Sequence, residues 1–269
     1  AHQVGDTLYF TEPLRILLAD DNALNREIAI EAIKRHFENA FVEEAVDGKQ
    51  VVELASNAAF DVVLMDMQMP EMTGTEAAIY IRTHLAEDRR QLPIIALTAS
   101  ATPEEIENAI QSGMNRHLGK PFKSRELAQV IAETLGLNSV KKFITENKTM
   151  TDTTMPSPDQ QPYDLAFLFD FTEGDRAQMI RFIQKFLDNY SKETATIEQA
   201  LRDENRDALY LAAHSFRPQL EFVGMKQAAT IMLSIEKGAR DGGSIADLGE
   251  QFSIVTTALR QLPAATEWL

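Results

Sequence analysis

Five short apolar runs recur through the first half of the chain, and four of them stop abruptly at a polar residue. The runs are Arg15 to Ala19, Phe41 to Ala45, Asp61 to Met65, Pro93 to Leu97 and Arg116 to Gly119. Segments with helical periodicity separate them, and strands alternating with helices predict a doubly wound α/β fold around a five-stranded parallel sheet. In such folds ligands sit at the carboxyl ends of the strands. Asp20 and Asp21 follow the first run, Asp66 the third, Thr98 the fourth and Lys120 the fifth, so all of them are expected at that edge. Carboxylate oxygens suit a hard cation such as Mg2+, while a lysine and a hydroxyl suit phosphoryl oxygens. A magnesium and phosphoryl site is the leading reading.

The order and spacing are more specific than that. Leu18-Ala19-Asp20-Asp21-Asn22, Met65-Asp66-Met67-Gln68-Met69-Pro70 with Gly74, Ala96-Leu97-Thr98-Ala99 and Gly119-Lys120-Pro121-Phe122 together resemble a response-regulator receiver domain, over 13–137. The resemblance implies that Asp66 is the phosphoryl acceptor. It implies that Asp20, Asp21, Asp66 and the backbone carbonyl of Gln68 hold Mg2+, with Asp20 acting largely through water. Lys120 is expected to pair with the phosphoryl group, Thr98 to hydrogen-bond it, and the backbone N–H groups of Met67 and Ala99 to complete the cradle. It also implies a cis Lys120–Pro121 bond, and it places His117 where receivers often carry an aromatic switch. The run from Gly113 to Pro121 is not a phosphate-binding loop of the Walker type, because Pro121 stands where a magnesium-binding Ser or Thr belongs.

Composition narrows the function classes. With 269 residues the chain suffices for two ordinary domains. Its formal net charge is −15, with 22 acids against 12 bases up to residue 137 and 19 against 14 beyond it. Both halves would repel a phosphate backbone, which argues against a nucleic-acid binder. Cysteine is absent, which fits a reducing interior and rules out thiolate metal sites. No apolar stretch approaches membrane-spanning length, so a cytoplasmic segment without membrane contact is expected, leaving any anchor to a longer parent protein. Ala1 is not an initiator Met, and Val4 to Pro13 resembles the last strand of a histidine-kinase ATPase domain.

Helix signals continue the pattern. Thr102-Pro103-Glu104-Glu105 combines an N-cap, a proline at the first helical position and a capping acid, so a helix is expected to start there; Ser124 is expected to cap the last helix of the first half. Residues 138–162 are rich in polar residues and proline and read as a linker. From 163 to 262 the periodicity is helical throughout, as in Met179, Phe182, Ile183, Phe186 and Leu187, and predicts an all-α helical bundle.

Within that bundle Ala213-His214-Ser215-Phe216-Arg217, with Gly224 ten residues after the histidine, resembles a histidine phosphotransfer domain. The resemblance implies phosphorylation of His214, which needs a neutral, solvent-reachable ring nitrogen. Arg217, one helical turn on, is placed to hold the phosphoryl oxygens. The sequence departs from the family at Pro218, where Gly is usual, and a helix kink is expected there. Only 55 residues follow His214, too few for an ATP-binding domain. The expected function is a phosphorelay segment of a hybrid sensor kinase: Asp66 takes phosphate from an upstream histidine kinase domain, and His214 passes it to or from a downstream response regulator receiver. The alternative is a phosphorylation-controlled binding module in which His214 carries no phosphate.

Overall fold

The five apolar runs form a sheet, and their burial explains their composition. The computed structural model describes residues 7–99, 102–137, 140–142 and 163–263. The chain divides into two compact units, 1–156 and 157–269. In the first, the strands are β2 (Leu14–Ala19), β3 (Ala40–Ala45), β4 (Val62–Asp66), β5 (Ile94–Thr98) and β6 (Arg116–Gly119), preceded by β1 (Thr7–Tyr9). Strands β2 to β6 form one parallel sheet in the order β3-β2-β4-β5-β6. The central β4 and β5 are buried along their whole length, as helix-covered parallel strands must be, whereas edge strands β3 and β6 are partly exposed. Ile16, Leu17, Leu64, Ile94 and Ala96 form part of this apolar interior.

The helices of this unit are α1 (Ala23–His36), α2 (Gly48–Asn57), α3 (Gly74–His84), the single turn α4 (Glu87–Arg90), α5 (Pro103–Gln111) and α6 (Ser124–Leu135). Helices α1, α2, α3 and α5 start after strand ends and are capped by side chains. Asn22 accepts from Leu24 and Asn25 N–H at 2.9 and 3.2 Å, and Thr73 and Glu76 make a reciprocal capping box. Thr102 caps α5 as expected. Ser124 does not cap α6; it is the first helical residue, and the Glu126 carboxylate accepts from the N–H of Lys123, the true cap position. Glu126 thus supplies the acid half of a capping box, and no side chain at the cap position accepts from the first turn.

The segment expected to be a linker begins as structure. Val140–Lys142 forms β7, antiparallel to β1 (Thr7–Tyr9), so the residues flanking the large sheet on either side pair with each other. A three-residue strand whose partner lies more than a hundred residues away leaves no readable period. The rest of 138–162 lies outside the described residues. After β1, Phe10 stacks on Phe37 with ring centroids 4.7 Å apart, and the Phe10 N–H donates to the His36 carbonyl.

The second unit consists of α7 (Ala166–Phe171), α8 (Arg176–Arg202), α9 (Arg206–Phe222), α10 (Lys226–Asp241) and α11 (Ile245–Leu259). Its helices bury Met179, Phe182, Ile183 and Phe186 as the periodicity requires, and leave Leu187 half-buried. Phe171, Phe182 and Phe222 meet edge to face at centroid distances of 5.0 to 5.7 Å. Helix α9 runs unbroken through Pro218. Among the described residues no helix is long and apolar enough to cross a membrane.

Gly224 ends α9 for a steric reason. Its φ is +80°, and a Cβ there would lie 2.0 Å from the Asp164 carbonyl oxygen, while the Asp164 N–H donates to the Gly224 carbonyl at 2.8 Å. Gly224→Ala is therefore expected to cost about 2 kcal/mol or more of unfolding free energy, combining left-handed strain with a backbone clash. Urea denaturation followed by helical circular dichroism checks this; an unchanged midpoint would mean the turn relaxes freely.

Candidate functional site

The parallel sheet brings Asp20, Asp21, Asp66, Thr98 and Lys120 to one edge. Asp66 is the last residue of β4 and Thr98 the last of β5; Asp20 and Lys120 stand one residue beyond β2 and β6. Lys120 Nζ lies 2.6 Å from Asp20 Oδ2 and 2.7 Å from Asp66 Oδ2, with all three side chains almost fully buried. The Lys120 N–H donates to the Thr98 carbonyl at 2.6 Å, which ties the lysine to the end of β5, and the Lys120–Pro121 bond is cis. Asp20 Oδ1 accepts from the Asn22 N–H at 2.9 Å and the Asn25 side-chain amide at 3.2 Å, so the start of α1 fixes it directly.

Close backbone packing frames Asp66. A Cβ on Gly74 would sit 2.0 Å from the Asp66 carbonyl oxygen, which makes glycine a requirement of the strand-to-helix approach. Gln68 is half-buried, and its N–H points to Asp66 Oδ1 at a long 3.4 Å. Asp20, Asp21 and Asp66 each offer a carboxylate oxygen, all within 4.8 Å of one another. The Thr98 hydroxyl is buried and has no hydrogen-bond partner, an arrangement that costs free energy unless a ligand fills it.

The charges strain against burial. Burial pulls the Lys120 amine down, but the Asp20 and Asp66 carboxylates outweigh it and hold its proton above the ordinary lysine range. For Asp20, burial pushes the carboxyl up, Lys120 pulls it down and Asp66 pushes it up again, leaving it above the ordinary value. Two carboxylates thus share one ammonium, and Asp20 meets that ammonium directly.

A second constellation lies in the helical unit. His214, on α9, is only 4% exposed, so the ring is not solvent-open as its motif leads one to expect. Its Nδ1 is 2.8 Å from Glu236 Oε1 on α10, and the other oxygen of Glu236 accepts from Arg217 Nε at 3.2 Å. Arg217, also 4% exposed, has Nη1 3.6 Å from Glu221 as well. The guanidinium expected to await phosphoryl oxygens is therefore bound to two carboxylates. Burial pushes Glu236 up, but the hydrogen bond and charge of His214 and the charge of Arg217 hold its carboxyl below the ordinary range. Burial pushes Glu221 up, Arg217 pulls it down, Glu236 pushes it up, and it lies above that range. Neither glutamate was singled out in sequence. Glu221 was findable as the i+4 partner of Arg217, but Glu236 becomes a neighbour of His214 only once α9 and α10 pack side by side. With Glu236 facing Nδ1, the ring proton belongs on Nδ1 and the lone pair on Nε2.

Comparison with known proteins follows the same division. Residues 16–132 match the response regulator receiver domain family. Sensor protein GacS of Pseudomonas syringae pv. syringae is 40% identical over 135 residues, which cover 50% of this chain and 15% of GacS. The signal transduction histidine-protein kinase BarA of Shigella flexneri is 26% identical over 238 residues, covering 87% of this chain and 25% of BarA. That share exceeds what the first unit alone supplies, so the similarity extends into the helical unit. This chain spans a quarter or less of the length of either protein. A crystal structure of the receiver domain of sensor histidine kinase PA1611 from Pseudomonas aeruginosa PAO1, with a magnesium ion coordinated in the active site cleft, is 36% identical; the match covers 46% of this chain and 99% of that one, with a TM-score of 0.43.

The strain at Asp20 has a measurable sign. With its folded pKa above the ordinary 3.8, the native state holds the proton longer than the unfolded chain, so stability falls as pH rises through that window and stays lower above it. Asp20→Asn removes the buried charge and is expected to raise metal-free stability near neutral pH by about 1 kcal/mol, with a flatter pH dependence above pH 4. Urea unfolding in chelator at several pH values tests it; a less stable variant at pH 7 would show that the Lys120 contact dominates instead.

Proposed function

Residues 16–132 of this chain belong to the response regulator receiver family, and from that premise we propose that the chain carries two successive stations of a phosphorelay, Asp66 and His214. The observation that carries the reading is the sheet edge itself: a buried Asp66 beside Lys120, two further aspartates and a buried threonine hydroxyl without a partner. The three carboxylates and the Gln68 carbonyl suit Mg2+ in donor chemistry, and the clustering of the three carboxylates supports that fit. When bound, the ion supplies positive charge against the phosphoryl oxygens.

In the first step a carboxylate oxygen of Asp66 attacks the phosphorus of a phosphohistidine on an upstream histidine kinase. A P–O bond forms, the P–N bond breaks, and the imidazole leaves with its electron pair. Lys120 neutralises charge on the transferred group, and the Thr98 hydroxyl donates to one of its oxygens. In the second, the Nε2 lone pair of His214 attacks an aspartyl phosphate of a receiver. The P–N bond forms, the P–O bond breaks and the carboxylate is released, while the proton on Nδ1 faces Glu236, whose negative charge balances the ring. The reverse reaction uses the same contacts. In this reading Arg217 acts through Glu236, which it orients and keeps ionised.

The burial of His214 favours a second reading, in which the helical unit grips a partner under control of Asp66 and His214 carries no phosphate. Acid lability separates the two, since phosphohistidine is the acid-labile species.

With acetyl phosphate as donor, Asp66 is expected to label only when magnesium is present, and Asp66→Asn to abolish that label; labelling that survives chelator would overturn the assignment. Mixing Asp66-phosphorylated His214→Gln chain with Asp66→Asn chain is expected to move label into an acid-labile form on the second. Glu236→Gln in the acceptor should slow that transfer about tenfold or more. Label that stays acid-stable throughout would favour the binding module.

A further inference from the structure

Arg217 is almost fully buried and its guanidinium is already engaged by Glu236 and Glu221, yet a group arriving at His214 brings about two negative charges. Another cation is linked to the ring through Tyr210. Tyr210, one turn before His214 on α9, lays its ring against the imidazole at a centroid distance of 5.8 Å and an angle of 29°. On α10, Arg240 stands one turn after Glu236. Its guanidinium carbon is 4.5 Å from the Tyr210 ring centroid, and Nη2 donates to the Tyr210 hydroxyl. The two helices run opposite ways, so Tyr210 faces Arg240 just as His214 faces Glu236. Arg240 is exposed, whereas Arg217 is buried.

We infer that Arg240, held in place by Tyr210, is the cation that meets the phosphoryl group at His214. This rests on the reading of His214 as a phosphoryl acceptor. A guanidinium has five N–H donors, so Arg240 keeps the Tyr210 hydroxyl with one and offers the others to phosphoryl oxygens. Tyr210 serves as the platform: the ring face holds the cation and the hydroxyl sets its direction. The arrangement divides labour between two arginines. Arg217 is a positioning residue that fixes Glu236, and through it the ring; Arg240 is the contact residue, free to approach from solvent with the incoming group.

The test uses the full chain carrying Asp66→Asn, so that His214 is the station available, with potassium phosphoramidate as donor. Acid-labile phosphate is measured, and the phosphohistidine is titrated by phosphorus NMR. A neighbouring cation lowers the pH at which the phosphoryl group takes up its second proton. Arg240→Ala is expected to raise that titration by about half a unit and to cut phosphorylation efficiency about threefold to tenfold, mainly through KM. Arg240→Lys should restore most of the titration shift, and Tyr210→Phe should fall between. Arg217→Lys should leave the titration where it is while slowing the chemical step. If His214 labels normally and Arg240→Ala moves neither the titration nor KM, the inference is wrong while the relay reading stands; a titration moved by Arg217→Lys instead would return the role to Arg217. If no acid-labile phosphate forms that is lost with His214→Gln, the relay reading fails and this inference with it.

Discussion

One buried ammonium shared between two carboxylates organises the first unit. Lys120 stands beyond β6, Asp20 beyond β2 and Asp66 at the end of β4, so the contact closes only if three strands hold their register. Register in turn is fixed by burial, because slipping β4 or β5 by one residue would move the polar terminus into the apolar interior. The cost of burying three charges falls on a net-negative cluster, and Asp20 shows it in its raised pKa. Such a site is poorly stable by itself and well matched to a divalent cation and a phosphoryl group, each of which relieves part of the imbalance. The unpartnered Thr98 hydroxyl belongs to the same unfinished balance.

The helical unit solves a similar problem with the opposite bias. Here Glu236 is the shared partner, taking His214 on one oxygen and Arg217 on the other. Its carboxyl is held below the ordinary range, so the acid is reliably ionised and the imidazole is oriented without competition from water. The sheet edge shares one ammonium between two carboxylates; at the histidine one carboxylate is shared between an imidazole and a guanidinium.

The first unit was largely legible in the sequence because fully buried parallel strands are continuous apolar runs, and the residue ending each run is visible by its polarity. Asp20, Asp66, Thr98 and Lys120 are readable for that reason. Lys123 as the cap of α6 was not, since a lysine side chain has no oxygen to accept from the first turn and only the Glu126 carboxylate, bonded to the Lys123 N–H, marks the start. Val140–Lys142 escaped because its partner, Thr7–Tyr9, lies at the other end of the unit. In the helical unit the helices were readable from period alone, but the burial of His214 and its pairing with Glu236 were not. Periodicity says which face of a helix is apolar; it does not say which polar residue of another helix will stand opposite a histidine on that face.

Pro218 shows how such a pairing can matter more than the helix that carries the ring. Proline has no N–H, so the His214 carbonyl loses the bond that residue 218 would ordinarily donate. The neighbouring Ser215 carbonyl accepts from the Gln219 side-chain amide at 3.1 Å, and Gln219 is itself almost fully buried. Downstream, Gly224 is locked against Asp164 by a backbone hydrogen bond and by a gap too small for a Cβ. Helix α9 is thus pinned at its end and deprived of a rung at the histidine. The position of the imidazole then depends on Glu236 and Tyr210 rather than on the regularity of the backbone beneath it, and the side chains of α10 become part of the site.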